Sequence, residues 1–336
     1  MLAASIDKGI TRMGQEQVLE AIHLQKIYPV SAGAFSRKPL FLKAVDDVSF
    51  ALEKGTTLGL VGESGCGKTT LARLLLNLEQ PSDGKVIFDG YNIYELKGEQ
   101  KKQFRQQVQI IFQDPYSSLN PRKNVGSIIG EPLLIHKLVP RSQISRRVLE
   151  LMDLVGLQKD QISRYPHEFS SGQRQRIGIA RALSLDPQVI IADEPVSALD
   201  VSIQAQIINL LQDIQNRMGL TYLFISHDLH VVHHISHRVM VMYLGKAVEC
   251  ALNEDLYRNP LHPYTEALLS AAPVADPSYN KKRILLTGDL PTPLNPPRGC
   301  IFSSRCPIMK PDICLEKHPP LVEKRKGHFA ACYLKQ

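Results

Sequence analysis

The 336-residue sequence predicts an α/β fold built to hold a polyphosphate, and three stretches carry that prediction. The apolar run TTLGLV passes through GESGCGKTT into the helical pattern TLARLLLNL, giving strand, glycine loop and helix in order. Far downstream, PQVIIADEP is a short apolar strand ending in two carboxylates, the pattern of a buried parallel strand that delivers acids to its C-terminal edge. A third strand, LTYLFISHDL, ends in His227.

Residues Gly62 to Thr69 match the loop G-x-x-x-x-G-K-S/T. Gly62, Gly65 and Gly67 can take backbone angles that aim successive N–H groups inward, and the following helix adds its N-terminal dipole. Lys68 would reach the β- and γ-phosphates, and the Thr69 hydroxyl would ligate magnesium. Glu63, Ser64, Cys66 and Thr70 complete the stretch that faces the nucleotide, with Cys66 read as a small tolerated residue rather than a redox group. A thiol reagent at Cys66 is expected to block nucleotide binding unless nucleotide is already bound. On the second strand, Asp193 is placed to hold magnesium, while Glu194, facing the other way, would orient and deprotonate the attacking water. His227 would contact the γ-phosphate and that water.

Length and composition fit about two domains with ample material for a core. The N-terminal stretch MLAASIDKGITRMGQEQ has no apolar run able to serve as a signal peptide, and no stretch approaches the ~18 apolar residues of a membrane span, so a cytosolic chain is expected. In a reducing compartment its 6 cysteines are expected to be thiols or metal ligands rather than bridges. The net charge of +7 sits in residues 277–336, where 11 Lys/Arg face 4 Asp/Glu and 9 of the 22 prolines fall. Prolines break both helical and strand periodicity, which places a boundary near 270–280. Those basic residues are scattered among prolines without interleaved aromatics, so a solvated surface is expected and nucleic acid is not.

Between the loop and the acidic strand lies PHEFSSGQRQRIGIARAL, which resembles the signature motif of ATP-binding cassette (ABC) proteins. Its neighbours agree in order and spacing: QIIFQDP with Gln113 resembles the Q-loop, SALD at 197–200 the D-loop, and ISHD with His227 the switch histidine. Tyr28 in KIYPV sits where that family stacks an aromatic ring on adenine. The resemblance implies a P-loop NTPase of ABC type, with a RecA-like core, an antiparallel β subdomain and a helical subdomain over about 115–187. The expected division is an N-terminal extension at 1–16, the nucleotide-binding domain at 17–272, and a small irregular Cys/Pro-rich domain at 273–336. Gln113 joins Thr69 and Asp193 around Mg2+, and Ser170, Gly172 and Gln173 would complete the ATP site of a partner subunit. The signature is usually Leu-Ser-Gly-Gly-Gln and here reads Phe169-Ser170-Ser171-Gly172-Gln173. A helix-like backbone at Ser171 would be tolerated, whereas a left-handed one would cost about 1 kcal/mol or more.

Near the end, RNPLHPYTEALLSAAP and LPTPLNPPRGCIFSSRCP resemble the C-terminal extension of dipeptide and oligopeptide permease ATPases, most closely the F-type subunit of dipeptide permeases. That implies an ATP-hydrolysing subunit of a bacterial importer of di- or oligopeptides, peripheral on the cytoplasmic face of the inner membrane. Its implied partners are a second ATPase subunit, two transmembrane permease subunits and a periplasmic binding protein. The alternatives are the ATPase of a nickel or glutathione importer, or a soluble ABC ATPase acting on nucleic acid or ribosome. Cys300, Cys306, Cys314 and Cys332, spaced C-x5-C-x7-C-x17-C, lack the paired knuckles zinc prefers and suit an iron–sulfur cluster better. The resemblance implies a 4Fe–4S cluster there, with zinc or unligated thiols as alternatives, and a metal clip would explain how so proline-rich a segment folds. The five histidines of HDLHVVHHISH are read as a histidine-rich helix surface rather than a metal site.

Overall fold

A computed structural model describes residues 16–30, 40–271, 284–286, 288, 291–292, 294 and 296–335. All but the last residue of the expected N-terminal extension, and most of 272–295, lie outside the described residues. The chain divides into two compact units, one comprising Met1–Glu53, Leu58–Tyr94 and Ser226–Gln336, the other Lys54–Thr57 and Glu95–Ile225.

The chain opens with β1 (Gln17–Val30), β2 (Leu40–Glu53), β3 (Thr57–Val61), α1 (Lys68–Leu75), β4 (Asp83–Phe88) and β5 (Tyr91–Asn92). Next come α2 (Gly98–Gln107), β6 (Val108–Ile111), α3 (Val125–His136), α4 (Arg141–Leu154), α5 (Ser171–Leu183), β7 (Val189–Asp193), α6 (Val201–Met218) and β8 (Thr221–Ser226). The last part holds α7 (Leu229–Ile235), β9 (Arg238–Tyr243), β10 (Lys246–Leu252), α8 (Asn253–Arg258), α9 (Pro263–Ala271), α10 (Pro311–Cys314), β11 (Val322–Arg325) and β12 (His328–Ala330).

In the first unit β2, β1, β4 and β5 form an antiparallel sheet in that order, the expected antiparallel β subdomain. A second set of strands in the same unit has β3 parallel to β9, then β10, β12 and β11 joined antiparallel. Its inner strands TLGLV and RVMVMY are buried along their length but for Arg238 at the start of the second, and are mostly apolar because both faces are covered.

The described tail residues group with this unit. Backbone pairing of Glu249 with Ala330 and Cys250 with Phe329 adds β12 to the edge of β10. Phe302 is 1% exposed and meets the rings of Tyr243, Tyr264 and His262 at centroid distances of 5.3, 5.5 and 5.6 Å. The fully buried Glu249 carboxylate accepts from the Leu261 and His262 N–H groups at 2.7 and 2.9 Å and sits 2.6 Å from His328 Nε2. These contacts hold the tail by strand pairing, apolar burial and a satisfied buried carboxylate, so its fold does not hang on a metal clip.

In the second unit β6, β7 and β8 are parallel, with Val189 paired to both Val108 and Thr221. The expected helical stretch is present as α3, α4, two 3-10 turns and α5. Asn124 caps α3 by accepting from Ser127 N–H at 2.9 Å, and Asp200 caps α6 through Ile203 N–H at 3.0 Å. Gly219, at φ +67°, ends α6 in the left-handed turn that glycine adopts without cost.

Candidate functional site

In the first unit, β3 runs into the glycine loop and the loop into α1, as the sequence predicts. Gly67 caps that helix at φ +107°, where a β-carbon would also run into the Ala44 carbonyl, so the position admits glycine alone. Lys68 is 5% exposed, and its ammonium donates to the carbonyls of Gly62 at 2.8 Å and Glu63 at 3.1 Å. The loop therefore holds a buried cation on its own backbone, in the place where an incoming polyphosphate would find a positive charge. Thr69 is exposed at the second position of α1, with Thr70 half-buried behind it. Ser64 and Gly65 are exposed at the loop's tip.

Cys66 is 4% exposed, and burial pushes its thiol above the usual range. Burial thus works against the thiolate that the expected Cys66 labelling needs, while Lys68 Nζ, 3.9 Å from its Sγ, works for it. The half-buried Tyr28 donates its hydroxyl to Glu79, and burial and that carboxylate raise its pKa. Lys26 Nζ lies 5.1 Å from its ring centroid. His227 is exposed directly after β8, ahead of Asp228, which caps α7.

In the second unit, β7 delivers Asp193, 8% exposed, and then Glu194. Glu194 has φ +47°, left-handed backbone that a side chain with a β-carbon rarely adopts. Three bonds impose it. Its N–H donates to Ile225 O at 2.9 Å, and its carbonyl accepts from Ser197 N–H at 3.2 Å and from Ser197 Oγ at 3.1 Å. The Gln113 side-chain amide donates to Glu194 Oε2 at 3.0 Å, joining two of the expected catalytic groups.

At the signature, Ser170 caps α5. Its Oγ accepts from Gln173 N–H at 3.3 Å while Gln173 Oε1 accepts from Ser170 N–H at 3.1 Å, a reciprocal capping box. Ser171 opens the helix and is absent from the left-handed residues, so its β-carbon costs no backbone strain. Gly172 is constrained by packing: a β-carbon there would lie 2.6 Å from Ile203 Cγ2 on α6.

Sequence reasoning missed two neighbours of the phosphate loop. Tyr264 Oη accepts from Glu63 N–H at 2.9 Å, and Arg305 grips the Glu63 carboxylate with both Nη atoms. Tyr264 lies in HPYTEALL and Arg305 in FSSRCP, both read above only as marks of the tail.

The four tail cysteines carry free thiols. Cys300 N–H donates to Cys314 O at 2.7 Å, and burial, reinforced by the charges of the other three thiols, pushes Cys300 up to about 11. Among the described residues, however, no group of three or more His, Cys, Asp or Glu side chains is arranged to hold a metal ion, so the expected iron–sulfur or zinc ligand set is not assembled. In HDLHVVHHISH, His233 Nδ1 lies 3.1 Å from Asn253 Oδ1, and its ring centroid lies 4.2 Å from that of Tyr257 at a 36° tilt.

Residues 45–197 match the family described as ABC transporter, and residues 248–314 match Oligopeptide/dipeptide transporter, C-terminal region. The oligopeptide transport ATP-binding protein AppF of Bacillus subtilis is 54% identical over 97% of this chain and 99% of its own. The chain belongs to the ABC transporter ATP-binding family. The dipeptide transport ATP-binding protein DppF of Escherichia coli is 51% identical over 95% of both chains. The oligopeptide transport protein OppF of Salmonella typhimurium is 52% identical over 94% of this chain and 95% of its own. Among solved structures, cbiO1 from Clostridium perfringens, part of the ABC transporter complex cbiONQ, aligns at TM-score 0.63 and 25% identity over 73% of this chain and 92% of its own. A dimeric ATP-binding cassette in a post-hydrolysis state, bound to ADP and Pi, aligns at TM-score 0.62 over 70% of this chain and 99% of its own; at 24% identity it speaks for the fold alone. The chain of this ABC family member is an ATPase, and no helix among its described residues is long and apolar enough to cross a membrane.

Proposed function

We propose that the protein hydrolyses Mg-ATP to power the uptake of di- or oligopeptides by an ABC importer. The observation that carries this is the loop Gly62–Thr69 with its buried Lys68, on a chain whose relatives over nearly their whole length are peptide-transport ATP-binding proteins. Nickel, glutathione, ribosome and nucleic-acid readings have no comparable support. In this reading Lys68 would serve the β- and γ-phosphates, Thr69, Asp193 and Gln113 the Mg2+, Tyr28 the adenine and His227 the γ-phosphate, with Glu194 as the base. Magnesium supplies charge neutralisation on the phosphates, and Ser170, Gly172 and Gln173 serve the site of a second ATPase subunit.

The capping box supports this use of Ser170, because it leaves the first turn of α5 ordered and presents an N-terminal dipole suited to an anion. The nucleotide-binding domain spans 17–272 and the extension 273–336, and the whole docks peripherally, on the cytoplasmic side, to two permease subunits fed by a binding protein. For the tail we extend the reading to a 4Fe–4S cluster on Cys300, Cys306, Cys314 and Cys332, with zinc as the alternative. Its support is that Cys300 feels the charges of Cys306, Cys314 and Cys332, and Cys306 those of Cys314 and Cys332.

Glu194→Gln in the assembled transporter is expected to retain ATP binding and lose turnover; near-normal hydrolysis would remove Glu194 as the base. Anaerobic purification with iron, sulfide and zinc analysis tests the tail, and a metal-free protein overturns the cluster.

A further inference from the structure

The residue after the first glycine of the phosphate loop is held from outside the loop on both of its polar groups. Glu63 N–H donates to the hydroxyl of Tyr264, a side chain with no exposed surface. The Glu63 carboxylate receives Arg305 Nη1 on Oε1 at 3.2 Å and on Oε2 at 2.9 Å, and Nη2 on Oε1 at 3.2 Å. The pair is shielded, with side-chain exposures of 11% for Arg305 and 28% for Glu63. The guanidinium in turn lies 6.0 Å from the ring centroid of the fully buried Tyr243, which contacts both Tyr264 and Phe302. Arg305 is thus seated on an aromatic wall before it reaches the loop.

Two consequences follow for a polyphosphate. The Glu63 carbonyl is one of the two backbone acceptors that hold Lys68 Nζ, so fixing Glu63 helps fix where that ammonium rests. Glu63 would also place a bare negative charge beside the phosphates, and Arg305 cancels it across a bidentate, charge-assisted contact. We infer that Arg305 and Tyr264 are positioning residues of the ATP site, acting through Glu63 to set the phosphate loop and neutralise its acid, so that the tail helps determine nucleotide affinity. This rests on reading Gly62–Thr69 as the phosphate site.

The test is MgATP titration of the full chain by calorimetry. Arg305→Ala is expected to weaken MgATP about tenfold, the equivalent of about 1.4 kcal/mol. Arg305→Lys restores part of the loss, because lysine keeps the charge without the fork. In a Glu63→Gln background the Arg305→Ala penalty shrinks, and it shrinks too as salt rises from about 0.05 to about 0.5 M, neither of which a purely structural role would produce. Tyr264→Phe, which deletes one hydroxyl and keeps the ring, weakens MgATP about threefold and stands in if Arg305→Ala does not fold. Arg305→Ala binding within twofold of wild type, an unchanged penalty in the Glu63→Gln background, or wild-type affinity in Tyr264→Phe where Arg305→Ala does not fold, overturns the inference. Lys68→Ala separates the two levels: if it leaves MgATP binding intact, the phosphate-site reading itself fails, whereas its loss beside a silent Arg305→Ala defeats the positioning role alone.

Discussion

Glu194 combines a proposed chemical role with a backbone it would not choose, and the two can be pulled apart by substitution. At φ +47° its β-carbon crowds the following carbonyl, which costs an L-residue about 1–2 kcal/mol relative to glycine. Glycine recovers that strain but adds about 0.4–1 kcal/mol of conformational freedom to the unfolded chain. Glu194→Gly and Glu194→Ala both delete the 3.0 Å bond from Gln113, so the difference between them isolates the backbone. The glycine variant is expected to be the more stable by about 0.5–1 kcal/mol, while Glu194→Gln, which keeps both strain and hydrogen bond, stays near wild type. All three are expected to lose turnover in the transporter. The chain has no tryptophan, so urea unfolding is best followed by far-ultraviolet circular dichroism on the nucleotide-free protein. An alanine variant as stable as the glycine variant would refute the claim that the bonds to Ile225 and Ser197 impose a strained carboxylate.

Two further outcomes follow from packing and charge. His262 is 2% exposed, and burial lowers its pKa to about 4; its Nδ1 accepts from Tyr264 N–H at 3.1 Å, which requires the neutral ring. Because the unfolded chain binds this proton near pH 6.5 and the folded chain does not, its contribution is whole above pH 6.5 and falls by roughly 1.4 kcal/mol per pH unit down to about 4. Melting temperature should therefore drop from pH 6.5 to pH 5, and His262→Gln should flatten that slope; an equal slope in the variant argues against it. Gly172→Ala, whose new β-carbon would lie 2.6 Å from Ile203 Cγ2, is expected to destabilise by about 1–3 kcal/mol in urea, with recovery in Gly172→Ala/Ile203→Ala. Failure of the second change to restore stability would show that α6 is not what excludes the side chain.

The parts of the molecule legible in the sequence are those whose signal is local. The run from β3 through the glycine loop into α1 and the apolar strands β7 and β8 announce themselves within about ten residues, through periodicity and glycine spacing. Ser171 was open between helical and left-handed backbone because one residue type is compatible with both, and the capping box of Ser170 and Gln173 decides for the helix. The left-handed turn at Glu194 had no sequence mark, since it is imposed by Ile225, on a neighbouring strand, and by Ser197. Composition divided the chain at its prolines, whereas the tail's Phe302, Phe329 and His328 are buried among residues of the first unit. A pairing such as His328 with Glu249 leaves no period to read.

The contact between Arg305 and Glu63 spans 242 positions of sequence. A ribosome adding roughly 5–20 residues per second needs on the order of 12–50 seconds between making the two. During that interval the glycine loop and α1 can form from local sequence, but the acid in the loop stays uncompensated. The nascent protein is therefore expected to engage nucleotide tightly only late in its synthesis, when the arginine that quiets the loop has left the exit tunnel.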